Sequence, residues 1–383
     1  VEVPDRVPVS LPIGTMPANL AGTDYYTCSY DYEKAVRVWE KFNEQFKDAD
    51  NLSSPGSIIP ARVHDLLGYK LYSYPGHGLP KTATGVQFNE GEYMKPEEYD
   101  LLIKNPSDFW MRTYMPRIFR ALEPLQTLSS LTTIIESSSM YFMPFAAPQM
   151  QQSLDTLKEV GNELARWMKY IGEYGRKTLA AGYPASRGAM AKAPFDTIGD
   201  TLRGTKGVIM DMRRCPEKLL QAIDVVTQFT IDQTLESINK SKGFQVMFPL
   251  HKGADGWMSD KQFQTFYWPS LRKVINALID EGVLVYLFAE GSYETRLDVV
   301  NEFPKGAVAW LFDKTDMGKA KKALGDRCCI AGNVPTSLIV TGNPQQVKEY
   351  SRQLIETCAP GGGYILSGGA MVDAGEAANV RAM

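Results

Sequence analysis

His251 and Glu290 are the two residues of this chain best placed to do chemistry. Each directly follows a strongly apolar run, Phe244 to Leu250 for the first and Val283 to Ala289 for the second. An imidazole beside a carboxylate has three uses. The pair can move a proton to or from a reacting atom. It can supply two of the three protein ligands typical of catalytic zinc, with a third not identifiable here. It can also form a mutual hydrogen bond with no chemistry, which would satisfy two groups that are costly to bury alone.

The elements that must position this pair are legible in the same stretch. GFQVMFPLHKGADGWMSDKQFQTFYWPSLRKVINALIDEGVLVYLFAEG reads as strand, Gly/Asp-rich loop, helix and strand. Phe263, Phe266, Leu271, Val274, Ile275 and Leu278 recur at helical spacing, so the helix crosses over between parallel strands. Near-continuous apolar strands are buried on both faces. Parallel barrels carry their chemistry on the rim formed by the C-terminal strand ends.

From Gly243 onward the rhythm is regular. Strands are expected at 244–250, 283–289, 307–312, 327–331 and 363–366, with helices at 260–280, 293–302, 316–323 and 344–357. This is the sequence form of half a barrel. The expected fold class is therefore α/β, a closed (β/α)8 TIM barrel with N-terminal helical additions. An open doubly wound sheet is the rival, but neither GTDYY nor GGGY matches GxGxxG, and no GxxxxGK[ST] occurs. The N-terminal half should add a first strand in VPVSLPIG, another near 51–59, helices at 31–46, 61–67, 96–103, 108–125, 154–181 and 215–240, and a Gly/Pro/Ala-rich connector at 182–204. No breaker-rich linker intervenes, so residues 1–383 read as a single domain in which about 1–150 holds extra helices and rim loops.

The strand ends would present His251, Glu290, Asp313, Asn333 and Ser367. The candidate catalytic set is His251, Glu290, Asp313 and Asn333, although Asp and Asn just past a strand also cap the next turn or helix. Tyr25 and Tyr26 on the first rim loop, with Tyr141 and Phe142 in ESSSMYFMPFAAP, are candidates to wall an apolar pocket for a flat ligand; ordinary core packing is the alternative for the Met/aromatic run. His64 and His77 read as structural or solvent-facing. Cys328 and Cys329 read as packing.

The 383 residues include 44% hydrophobic and 22% charged, enough for a large core. A net charge of −3 gives no sign of a nucleic-acid surface. Five cysteines without CxxC spacing point to a reducing, cytoplasmic compartment. No apolar run approaches the roughly 18 residues of a membrane span, and no signal peptide is visible. The chain starts at Val1, so its natural N-terminus is expected upstream.

FYWPSLRKVINALIDEG, LGDRCCIAGNVPTSLIVTGNPQQVKEYSRQLIE and GGGYILSGGAMVDAGEAANVRAM resemble the uroporphyrinogen decarboxylase superfamily, as does DADNLSSPGSIIPARVHDLLGY upstream. The resemblance covers most of the chain and is strongest from 243 to 383. It implies one barrel with its site on the C-terminal rim. The decarboxylases of that family use an R-x-A-G-R motif after the first strand to hold substrate carboxylates; here LPIGTMPANLAG has no arginine, which disfavours a tetrapyrrole polyacid. Its thiol-methylating members bind zinc through H-x-C and a later Cys, where this chain has LFAEG and LSGGAMV. The third type remains, resembling aryl O-demethylases through HKGADGWMSDKQF and FAEGSYETRL. The resemblance thus implies a corrinoid carried by a partner protein and possible zinc, with a small aromatic methyl ether as substrate and a homodimer as a further option; nucleic acid and membrane are not expected partners. The rival functions are decarboxylation of a small or tetrapyrrole acid and a non-catalytic barrel that captures a corrinoid or porphyrin.

Overall fold

The strands expected in the C-terminal half stand side by side, all parallel. The computed structural model describes residues 4–136, 138–183 and 188–383, so part of the expected connector, residues 184–187, lies outside the described residues. Strand β1 is Val9–Ser10. Strands β2 (Tyr72–Pro75), β3 (Gly78–Leu79) and β4 (Gln87–Phe88) form a small separate sheet in the order β3-β2-β4. Then follow β5 (Ala189–Met190), β6 (Gln245–Leu250), β7 (Leu284–Ala289), β8 (Val308–Phe312), β9 (Cys329–Ala331) and β10 (Tyr364–Ser367). With β1 these make a curled seven-stranded sheet in the order β1-β10-β9-β8-β7-β6-β5.

The register explains why its C-terminal edge is level. Leu250 pairs with Ala289 and Ala289 with Phe312, while Leu311 pairs with Ala331 and Ala331 with Ile365. One residue beyond the Leu250–Ala289–Phe312 row come His251, Glu290 and Asp313. Counting along β9 and β10 brings Asn333 and Ser367 to the same height. Successive parallel strands lie about 4.8 Å apart, so neighbouring strand ends can converge on one small species.

The ring is not closed. Among the described residues no ladder joins β1 to β5, which corrects the expectation of a closed eight-strand barrel. The missing strand was expected at 51–59. That stretch instead makes a 3-10 turn at Pro55–Ser57, and neither Pro55 nor Pro60 has an N–H to give a ladder. Only its approach runs beside β1: Asp50 N–H donates to the Val9 carbonyl at 3.1 Å, and the Asp50 carboxylate accepts from Val9 N–H at 2.7 Å.

The helices follow local sequence rules with two exceptions. Ser259 and Gln262 cap each other at the start of the helical stretch from Asp260 to Asp280, which buries Leu271, Val274, Ile275 and Leu278 completely. Pro216 opens the helix Pro216–Ser241. The expected helix at 293–302 is only a turn, Glu294–Arg296. Arg296 is drawn inward instead, donating to the carbonyls of Gly253 and Met258 and pairing with Asp260. The expected helix at 108–125 runs from Pro106 through a wide turn at Trp110–Tyr114 only as far as Ile118, and after Phe119 continues as the 3-10 stretch Arg120–Thr127, which contains Pro124. Among the described residues no helix is long and apolar enough to cross a membrane.

Strand β7 offers a test of this burial pattern. Leu287 is fully buried and Leu284, on the same strand, is 41% exposed. Leu287→Ala should cost about 2–5 kcal/mol in urea unfolding. Leu284→Ala should cost under about 1 kcal/mol.

Candidate active site

The residues just beyond β5 and β6 build the site's deepest layer. After β5 the chain enters the turn Pro194–Asp196 and continues through the wide helical turn Thr197–Leu202. Asp196 and Asp200 lie four apart there, on one helical face. Asp196 is fully buried and its carboxylate is filled from three directions. His251 N–H donates to Oδ2 at 3.0 Å, Lys252 N–H to Oδ1 at 3.0 Å, and the Tyr267 hydroxyl to Oδ2 at 2.7 Å. Burial and the neighbouring Asp200 charge push its pKa up to about 6.

Asp200 faces the His251 ring, Oδ2 to Nδ1 at 2.5 Å. On the other side of the ring, Nε2 is 3.5 Å from Glu290 Oε1. The structure therefore brings the two sharpest sequence candidates together, with a carboxylate on each imidazole nitrogen. Burial works against protonation of His251, but the Asp200 hydrogen bond and the charges of Asp196, Asp200 and Glu290 outweigh it, so its pKa lies above 6.5. Burial of Asp200 acts upward, yet the His251 hydrogen bond and the cations Lys192 and Lys252 hold its pKa down at about 2. Glu290 is raised above 4.5, chiefly by burial, with His251 opposing. The His251 and Glu290 side chains remain 31% and 43% exposed, so a small molecule can reach them from the rim.

The other expected residues lie elsewhere or do other work. Asp313 Oδ2 accepts from Gly291 N–H at 3.1 Å, bracing the turn just after Glu290. Asn333 spends its amide on the Asp313 and Thr315 carbonyls at 3.1 and 2.8 Å, the bracing alternative for an Asn past a strand. Ser367 is buried beside them. The four aromatics are not gathered around His251. Tyr25 packs with Ala18, Cys28 and Trp39 in a separate core, its hydroxyl taking Ile59 N–H. Tyr26 lies tilted against Tyr30, with the Lys81 ammonium over its ring. Tyr141 and Phe142 pack on each other in the turn Met140–Ala146, with Phe142 57% exposed. Burial accounts for Tyr25 and Tyr141, at 3% and 8% exposure, but not for the exposed Phe142. Other aromatics approach the site: Tyr267 through its hydroxyl on Asp196 and, from the small sheet, Phe88, 5.9 Å from the Lys192 ammonium, with Tyr72 packed edge-on against it. His64 is half-buried on the helix Ala61–Leu67, and desolvation lowers its pKa to about 4, while His77 contacts Asp65 at 3.0 Å.

The donor set does not fit a zinc ion held by three protein ligands. Among the described residues no group of three or more His, Cys, Asp or Glu is arranged to hold a metal. His251 and Glu290 are two donors without a third, and the Nδ1 face of His251 is taken by Asp200.

Sequence reasoning missed Lys192, Asp196, Asp200 and Lys252. The two acids left a signal, PFDTIGD with its carboxylates four apart, but β5 has only two residues and gives no strand pattern to mark a rim there.

The curled parallel sheet with polar groups at its C-terminal edge defines an α/β protein of the barrel type, with its candidate site on the rim. The uroporphyrinogen decarboxylase family model, URO-D, matches residues 142–383, well over half of the chain, and the chain belongs to that family. A solved methyltransferase from Methanosarcina mazei shares the fold with a TM-score of 0.61 and 13% identity, covering 100% of this chain and 93% of the other. At that identity the likeness speaks for the fold alone. No curated protein matches the chain.

The raised pKa of His251 fixes a pH signature. A basic group raised on folding adds stability that is complete below its unfolded value near 6.5 and is lost as pH climbs through the folded value. Urea unfolding of wild type and His251→Gln between pH 6 and 9 should show the wild type's advantage shrinking as pH rises. A difference that grows with pH would contradict the assignment.

Proposed function

We propose that this chain moves a methyl group from a small methylated donor, an aryl methyl ether, to the cobalt(I) corrinoid of a separate protein. The observation that carries this reading is the row Asp200–His251–Glu290 on an accessible rim. Breaking an aryl–O–CH3 bond at the methyl carbon expels a phenolate, a poor leaving group unless its oxygen gains a proton as the bond breaks. A group with a pKa above 6.5 and a reachable nitrogen suits that task near neutral pH. The family membership and the methyltransferase fold are compatible with this reading.

The chain's own residues divide the work. Asp200 keeps the Nδ1 proton and holds the ring in one orientation, so the Nε2 proton is the one available to the leaving oxygen. Glu290, on the same nitrogen before substrate arrives, yields that position to the ether oxygen and stays beside the imidazolium. The docked corrinoid supplies the nucleophile that accepts the methyl group. His251 regains its proton from solvent at the open rim. Tyr72 and Phe88 offer apolar surface for the ring on the Lys192 side. A reduced corrinoid partner places the reaction in a reducing compartment, the cytoplasm.

The test is methyl transfer from aryl methyl ethers to a reduced corrinoid protein, followed by its absorbance. Activity should depend on cobalt, and His251→Ala should lower it by a factor of roughly 100 or more while leaving the fold intact. Normal transfer in His251→Ala would remove the proton-donor role. Carbon dioxide release without cobalt would replace the reading with decarboxylation, and tight corrinoid binding without turnover with a carrier role.

A further inference from the structure

Lys252 is an ammonium in the wall of the site, 6% exposed. A cation this buried is tolerable only when its donors are taken. Its Nζ is 3.0 Å from Asp200 Oδ1, donates to Thr205 Oγ1 at 2.8 Å and lies 3.4 Å from Glu90 Oε1. The route to these partners is narrow. The lysine stem crosses Gly199, where a Cβ would stand 2.7 Å from both Cδ and Cε of Lys252. A side chain at 199 would therefore force the lysine stem to shift away from the path that now carries the ammonium to the adjacent Asp200.

Asp200 is thus gripped at both oxygens, Oδ2 by His251 and Oδ1 by Lys252. A carboxylate held at one oxygen can still turn about its side-chain torsions, whereas one held at both presents a fixed acceptor. Lys192 approaches the same Oδ2 at 3.4 Å but is 33% exposed and more loosely held, so it does not duplicate the grip on Oδ1. We propose that Lys252 is a positioning residue for His251: threaded across Gly199, it fixes the Asp200 carboxylate that orients the imidazole. The proposal rests on the reading of His251 as the proton donor in methyl transfer.

The experiment uses the full chain with Lys252→Met, Lys252→Arg and Gly199→Ala, each checked for folding by circular dichroism and melting. The first readout needs no turnover. The His251 ring N–H that bonds Asp200 should give a downfield proton resonance, assigned by its loss in His251→Gln. That resonance should disappear in Lys252→Met and Gly199→Ala and return in Lys252→Arg. The second readout is kinetic, with reduced corrinoid protein and an aryl methyl ether. kcat should fall by roughly 10- to 100-fold in the first two variants with KM little changed, because orientation rather than binding is lost. If Lys252→Met does not fold, Gly199→Ala carries the test alone, since it keeps the ammonium and only blocks its path. An intact resonance in either folded variant overturns the proposal. A wild type without methyl transfer would instead sink the functional reading, while the resonance would still report whether Lys252 orders Asp200 and His251.

Discussion

The site depends on one buried carboxylate being fully paired. Asp196 has no exposure, and a carboxylate buried without partners would cost several kcal/mol. It is tolerated because two consecutive backbone N–H groups, at His251 and Lys252, converge on it together with the Tyr267 hydroxyl. Those amides belong to the first two residues beyond β6, where ladder hydrogen bonding ends. Asp196 therefore supplies the pairing that the sheet no longer gives. In doing so it ties the turn after β5 to the end of β6. Its own chain then delivers Asp200, four residues on, to the face of the His251 ring.

Above that anchor the charges alternate. Lys252, Asp200, His251 and Glu290 follow one another as cation, anion, imidazole and anion, each within about a hydrogen-bond length of the next. In a partly desolvated site such a row is mutually reinforcing, since neighbours in it carry opposite charge when His251 is protonated. The depressed pKa of Asp200 and the raised pKa of His251 are two faces of this arrangement. Glu290 ends the row at the most exposed position. It is the member whose contact a substrate can most readily replace.

The N-terminal additions are fastened to this rim by polar contacts rather than by strand pairing. Arg203, 3% exposed, pairs with Asp211 and Glu92 and donates to the Met94 carbonyl, while Tyr99 donates to the same Asp211. Glu90 accepts from the Thr205 backbone and meets Lys252. The segment 90–99 is thereby held against the helical turn that carries Asp200. This places the small sheet, with Phe88 and Tyr72, beside the site, and among the described residues no ladder fills the gap between β1 and β5.

The sequence by itself determined the parallel strands of the C-terminal half and the level at which they end. Apolar runs of four to seven residues between helical periods have few other solutions, and those ending at Leu250, Ala289 and Phe312 carry their rim residue one step past the last paired position. His251 and Glu290 were legible for that reason. The tertiary structure alone decided what surrounds them. Asp196 and Asp200 reach the site from the turn after a two-residue strand, elements too short to leave a periodic pattern, and Lys252 sits one residue past the legible strand end at His251. Their convergence is set by unpaired amides and buried charge, which are properties of three-dimensional proximity. The aromatic residues show the same limit from the other side. Tyr25, Tyr26, Tyr141 and Phe142 are apolar enough for a pocket, but an aromatic ring packs equally well against any nearby helix, and composition cannot say which surface it will meet.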